Sequence, residues 1–409
     1  MTAEDKAGPG PATAVTVGTR GSALATTQTR HVAEALTERS GLGHELVVIR
    51  TEGDVTTGSL AALGGTGVFA SALRAAVLDG RVDLAVHSLK DLPAAQPPGL
   101  EIAAVPPRAD LRDALCARDG LTLATLPEGA RVGTGSPRRV AQLKALRPDL
   151  ELVDIRGNVQ TRLARVPGLE QHDDDAPAAK GSPRGDLDAV VLACAGLDRL
   201  GLQHVITERI DPEVMVPAPG QGALAVEIRE EDGPLLAEAA LDPDSHAGRL
   251  RAALELVDDR DTHVAVTAER ALLLRLEAGC AAPIGAVAHV EEGVAEDGSP
   301  APRIVMSAMV AAMDGTRVLR RTSSVQLDAV PTDVAQDPAE ADEWLEDTLF
   351  LAAGALGVHL AEQFVAEGAD LLPGTVRGAA KDDPQQVTSD VPGTGVVGEE
   401  RPGAADAGA

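Results

Sequence analysis

Apolar and polar positions alternate along this chain with two periods. AVTVGTR (14–20) reads as a short strand ending in a turn, and SALATTQTRHVAEALTERS (22–40) follows with helical spacing. ELVVIRT predicts a second strand, ASALRAAVLDG a helix, and VDLAVHSL a third, buried strand. This β-α-β-α-β order predicts a parallel or mixed sheet covered by helices.

A second unit of the same kind begins at ARVGTGS. It runs through the helix PRRVAQLKAL and the strand LELVDIRG to the strand LDAVVLACAGL. The intervening stretch 166–186 has no periodicity and carries a run of Asp, which predicts a surface insertion. Beyond PAPGQGALAVEIR, a helical stretch from Thr267 to Glu277 leads into LEAGCAAP. The strand-like IVMSAMVAAMDG and TRVLRRTSSVQL and a final helix at 343–368 predict a smaller α/β domain. The Gly/Pro/Ala-rich start and the tail from about Pro373 predict structureless ends.

Composition narrows the function. Asp and Glu outnumber Lys and Arg by 63 to 36, which argues against a nucleic-acid partner. Aromatic residues make up 1% of the chain, so base-stacking platforms are not expected either. The three cysteines, Cys116, Cys194 and Cys280, are far apart and form neither a disulfide framework nor a CxxC metal pattern. A reducing, cytoplasmic setting is the expectation. The first residues lack the basic and apolar regions of a signal peptide, and no uninterrupted apolar run approaches about 18 residues. No membrane partner is therefore expected.

In so acidic a chain the arginines carry information. Arg20 stands between a strand and a helix with Ser22 beside it, and Arg138 and Arg139 open another helix after Ser136. Arg156 and Arg162 flank the next turn, and Arg199 lies in LDRLGL. Any one of them is plausible as a solvated surface group. Repeated at strand-to-helix junctions, they point to a polyanion site, because such junctions expose N–H groups and Arg grips carboxylates in two-pronged fashion. HSLKDLP places Lys90 and Asp91 at the carboxyl end of a strand, where open α/β sheets put their ligand crevice. A local Lys/Asp turn is the plain alternative there. GGTGVF (64–69) has the composition of a flexible loop before a helix, and is weak as a phosphate motif. Two α/β lobes around an Arg-lined cleft also describe a non-catalytic solute-binding module. Asp91 and Cys280 are what such a binder would not need.

Taken together and in order, TRGSALATTQT, GGTGVF, AVHSLKDLP, VGTGSPRRVAQL, DIRGNVQTRL, VLACAGLDRLGL, PAPGQGALAVE and ERALLLRLEAGCAAPIGA resemble the porphobilinogen deaminase (hydroxymethylbilane synthase) family. The resemblance covers about Val15 to Leu372. It implies a three-domain α/β fold. The first two domains would be periplasmic-binding-protein-like, with mixed sheets around a cleft, and a smaller α/β domain would carry the cofactor cysteine. The implied boundaries are 15–108 with 205–225 for the first domain, 109–204 for the second and 226–372 for the third, between unstructured ends at 1–14 and 373–409. It also implies a monomer.

The resemblance further implies a dipyrromethane cofactor held by Cys280 through a thioether. This cofactor primes the addition of four porphobilinogen units, with loss of ammonia at each step and final hydrolysis to hydroxymethylbilane. Deamination yields an electron-poor azafulvene that the terminal pyrrole attacks. Asp91 is the implied catalytic carboxylate, binding pyrrole N–H groups and assisting proton transfer. Lys90, Ser136, Arg138, Arg139 and Arg156 are the implied cofactor contacts, with Asp91. Arg20, Ser22, Phe69, Arg156, Arg162 and Arg199 are the implied substrate contacts. Ala62, Thr66 and Ser71 stand where many relatives carry lysines in a lid loop, and Pro137 stands between Ser136 and Arg138.

Overall fold

The computed structural model describes residues 14–49, 68–169, 183–233, 242–278, 282–295, 298–331, 333–368, 371 and 395–398. In the first lobe, β1 (Val15–Thr19) pairs in parallel with β2 (His44–Val48) and β3 (Leu84–Ser88). Helix α1 (Ala23–Ser40) starts where Ser22 accepts a hydrogen bond from the N–H of Ala25, and it ends at Gly41 in the left-handed conformation. Its inward stripe, Gln28, Thr29, Val32, Ala33 and Leu36, follows helical spacing. Helix α2 (Val68–Leu78) covers the sheet together with α1, and β4 (Leu100–Ala104) closes the edge.

The second lobe repeats this plan. Its strands are β5 (Asp113–Ala117), β6 (Arg131–Gly133), β7 (Glu151–Val153), β8 (Ala189–Ala193) and β9 (Glu208–Ile210). Its helices are α3 (Pro137–Leu146), α4 (Val159–Leu163) and α5 (Cys194–Arg199). With β10 (Leu224–Arg229), the two sheets read β2-β1-β3-β10-β4 and β7-β6-β8-β5-β9. In each, four strands run in one direction, and one, β10 or β5, enters antiparallel between them from a segment that has crossed from the other lobe. The two sheets thus exchange a strand.

That exchange moves the expected boundaries. Residues 205–225 do not go to the first lobe as a block, because β9 pairs with β5 in the second sheet and only β10 returns. Helix α6 (His246–Val257), unpredicted and expected within the third domain, buries Leu250, Ala253, Leu254 and Val257 against Val32 and Leu36 of the first lobe. Its apolar stripe completes that core. The expected strand through LACAGL breaks at Cys194, where α5 begins.

In the third domain, α7 (Arg260–Arg275) and α8 (Pro338–Gly368) cover a meander of β11 (Ile284–Val294), β12 (Pro300–Ala311) and β13 (Val318–Gln326). Alternate residues of β12, Ile304, Met306, Ala308 and Val310, meet Leu272, Leu356, Leu360 and Phe364 in one core. Truncating any of these large side chains to Ala would cost about 2–5 kcal/mol. Helix α8 is long and apolar enough to cross a membrane by length and composition, yet its inward face is this domain's core. Within the tail expected to be structureless, β14 (Gly395–Gly398) pairs with β13.

Candidate active site

Two segments cross between the lobes, and the returning one is held by backbone geometry that only glycine adopts easily. Gly220 and Gly222 of PAPGQGA sit at φ 72° and 88°. A Cβ on Gly222 would lie 2.6 Å from the carbonyl oxygen of Ala109, and one on Gly220 3.2 Å from the N–H nitrogen of Lys90. The return segment therefore presses directly on the outgoing segment and on the Lys90–Asp91 turn. The N–H of Leu89 donates to Ala223 O at 3.1 Å, fixing the short 3-10 turn Leu89–Asp91 that follows β3.

The turn leaves the Asp91 residue exposed at the carboxyl end of the parallel strands. Arg20, Ser22, Gln28, His87, Ser88 and Asp91 line one pocket there, between α1 and the end of β3. Burial pushes the Lys90 ammonium down to about 8; Asp91 and Asp113 resist the shift, and Arg139 and Arg138 add to it. Arg162 is pushed down to about 10, first by burial and then by Arg139 and Arg156, against Asp91 and Asp154. Lys90 and Asp91 of the first lobe thus share an electrostatic neighbourhood with Arg138, Arg139, Arg156 and Arg162 of the second.

Not every predicted arginine faces the cleft. Arg138 and Arg139 are 3% and 6% exposed, and both turn onto the fully buried carboxylate of Asp113. They begin a helix as expected, and their charge is shared with an internal acid. That acid is held well below the usual carboxylate range, because the two guanidiniums outweigh its burial. Arg199 donates to Gly222 O at 2.7 Å and so braces the return segment. Arg156 is exposed and lies 3.3 Å from Asp154, while Arg162 Nε donates to Gly157 O at 2.8 Å. Ser136 precedes α3 without a side-chain capping bond. The backbone of Phe69 lies in α2, but its side chain is outside the described residues, as are Cys280 and the loop positions Ala62 and Thr66.

The flanks of Cys280 are nevertheless placed. The N–H of Ala286 donates to Pro217 O and that of Ala311 to Pro283 O, so β11 begins against the return segment. The next carbonyl along that segment, Val216 O, accepts from Arg138 Nη1 and Gln142 Nε2. Pattern reading missed this hub and its partners Asp113, Gln221 and Glu269. An acid heading the otherwise apolar strand DALCA, and another inside α7, were the available signals.

These groups suit a dipyrromethane. Guanidiniums, an ammonium and hydroxyls match the carboxylates of its pyrroles, an exposed carboxylate matches the pyrrole N–H groups, and the buried Nε of Arg138 and Oε1 of Gln221 have no hydrogen-bond partner among the described residues. Fold and site together define a two-lobed α/β protein whose cleft offers basic groups and one carboxylate to a polyanionic ligand. Residues 15–237 match "Porphobilinogen deaminase, dipyromethane cofactor binding domain" and residues 263–341 match "Porphobilinogen deaminase, C-terminal domain". The porphobilinogen deaminase of Micrococcus luteus is 86% identical over 90% of this chain and 96% of its own. That of Cutibacterium acnes is 52% identical, over 87% of this chain and 96% of its own. A periplasmic substrate-binding protein from Coxiella burnetii is similar over 59% of this chain and 92% of its own, at 15% identity and a TM-score of 0.35. The chain belongs to the porphobilinogen deaminase family. Its reaction is the family's deaminative condensation of porphobilinogen to hydroxymethylbilane on a dipyrromethane cofactor.

Proposed function

We propose that Asp91 is the catalytic carboxylate of this reaction and that Cys280 holds the cofactor. The observation that carries this is an exposed Asp91, next to Lys90 at the end of β3, within electrostatic reach of Arg162 from the second lobe. When bound, the dipyrromethane supplies the pyrrole carbon that is extended. Asp91 accepts hydrogen bonds from pyrrole N–H groups, and its charge stabilises the cation left when ammonia departs. The same carboxylate is placed to take up and return the proton exchanged at the reacting ring.

Lys90, Arg162 and Arg156 pair with acetate and propionate groups, while Arg20 and Ser22 receive the carboxylates that reach the pocket under α1. Arg138 and Arg139 contribute the N–H groups that Asp113 leaves over. Arg199 acts at a distance in this reading, by fixing the return segment behind the Lys90–Asp91 turn. The working unit in this reading is a monomer, as the family resemblance implies; light scattering at the mass of a dimer would contradict that.

Intact-mass measurement tests the assignment. The purified, folded protein should carry the added mass of two linked pyrroles, and Cys280→Ser should lack it. Folded wild-type protein at the bare sequence mass would overturn it.

A further inference from the structure

We propose that Asp113 is a positioning residue for the carboxylate-binding arginines: it sets their net charge and selects which of their N–H groups face the ligand. The inference rests on the proposed reading of Arg138 and Arg139 as contacts to the pyrrole carboxylates of the growing chain. Asp113 opens β5, the strand delivered by the outgoing crossing segment, and is completely buried. Its Oδ2 accepts from Arg138 Nη1 at 2.8 Å, and its Oδ1 from Arg138 Nη2 at 3.2 Å. Oδ1 also accepts from Arg139 Nε at 2.9 Å and Nη2 at 2.7 Å.

Each guanidinium has five N–H groups. On Arg138, two go to Asp113 and one to Val216 O; on Arg139, two go to Asp113 and one to Val191 O. Two remain on each. One carboxylate against two guanidiniums leaves a single positive charge. A pair so arranged holds one ligand carboxylate with a defined set of donors, where two bare arginines would grip polyanions strongly and in several orientations.

The arrangement also reports where the lobes are. Gln221 of the return segment donates to Asp113 Oδ1 at 2.9 Å and to Leu111 O of the outgoing segment at 2.8 Å. Its own carbonyl accepts from Arg108 Nε. Asp113 is therefore anchored to both crossings, and the arginines inherit that anchoring.

The test uses purified holoenzyme of Asp113→Asn, Asp113→Glu and Arg139→Leu, each with its cofactor adduct fraction, melting temperature, kcat and KM. Intact mass after limiting porphobilinogen gives the distribution of elongation states. Asp113→Asn should keep its adduct yet raise KM about tenfold, as expected for misplaced charge-assisted hydrogen bonds, with kcat within about threefold. Its elongation states should pile up short of the full chain. Asp113→Glu keeps the charge but moves it by one methylene, so it should fold even if Asp113→Asn does not, and should still show the raised KM. Folded Asp113→Asn with wild-type KM and elongation pattern overturns the inference, and so does complete restoration of KM by Asp113→Glu. If Arg139→Leu raises KM while the Asp113 variants do not, the inference alone fails. If none of the three changes KM, the arginine reading itself fails.

Discussion

Glu269 and Arg108 close a two-pronged ion pair, Oε1 to Nη1 at 2.7 Å and Oε2 to Nη2 at 3.1 Å, with the carboxylate fully buried. The same carboxylate accepts the N–H of Gly220 at 2.6 Å and that of Ala288 at 2.8 Å. One side chain of α7 thus joins the outgoing crossing, the returning crossing and the sheet of the third domain.

Removing it should be costly. Glu269→Ala strands the guanidinium of Arg108 and two buried N–H groups, so a loss of about 3–5 kcal/mol is expected. Denaturant unfolding of the purified variant checks this, and a loss below about 1 kcal/mol would contradict it.

Asp91 has the opposite profile. Its residue is exposed, so Asp91→Asn should leave the melting temperature within a degree or two while lowering kcat about a hundredfold or more. Near-normal tetrapyrrole formation would exclude it as the catalytic carboxylate.

Lys90 sets a pH dependence. Burial lowers its folded pKa from 10.5 to about 8, so between those values the unfolded chain holds a proton that the folded chain has lost. This group's contribution to stability therefore rises from about pH 8 to 10.5 and is flat below. Under the role proposed for Lys90, function moves the other way, because an ammonium paired with pyrrole carboxylates is lost as pH rises through about 8. An alkaline fall in kcat/KM near pH 8 is expected, moving upward in Lys90→Arg. An unchanged profile in that variant would assign the fall to another group.

Gly222→Ala tests the crossing. A Cβ would meet Ala109 O in a backbone conformation at φ 88°, so a loss of about 1–3 kcal/mol is expected, with lowered activity from the displaced Lys90–Asp91 turn. Wild-type stability would mean that the segments separate without cost.

The elements were largely legible in the sequence, because a strand or helix buried on one side writes its period into neighbouring residues. VDLAVHSL and the helix after Ser22 are clear examples. What period does not record is which lobe an element joins. Nothing in DALCA or LAVEIR marks it for one lobe or the other, yet each is the antiparallel strand that arrives from a crossing. The site divides in the same way. Asp91, Lys90 and the arginines stand at junctions visible in sequence, whereas the partners of Asp113 lie 25, 26 and 108 residues away. No local pattern signals such pairings, and so the inward turn of Arg138 and Arg139 was not foreseen.

The two lobe thiols have a practical bearing on that division. Cys116 and Cys194 are wholly buried, and burial pushes them up to about 12 and about 11. Neither offers thiolate to a reagent at neutral pH. If Cys280 holds the pyrroles as proposed, thiol labelling of the native protein becomes a counter: each equivalent taken up marks a chain still to be loaded, and the fraction loaded can be read without assaying a single turnover.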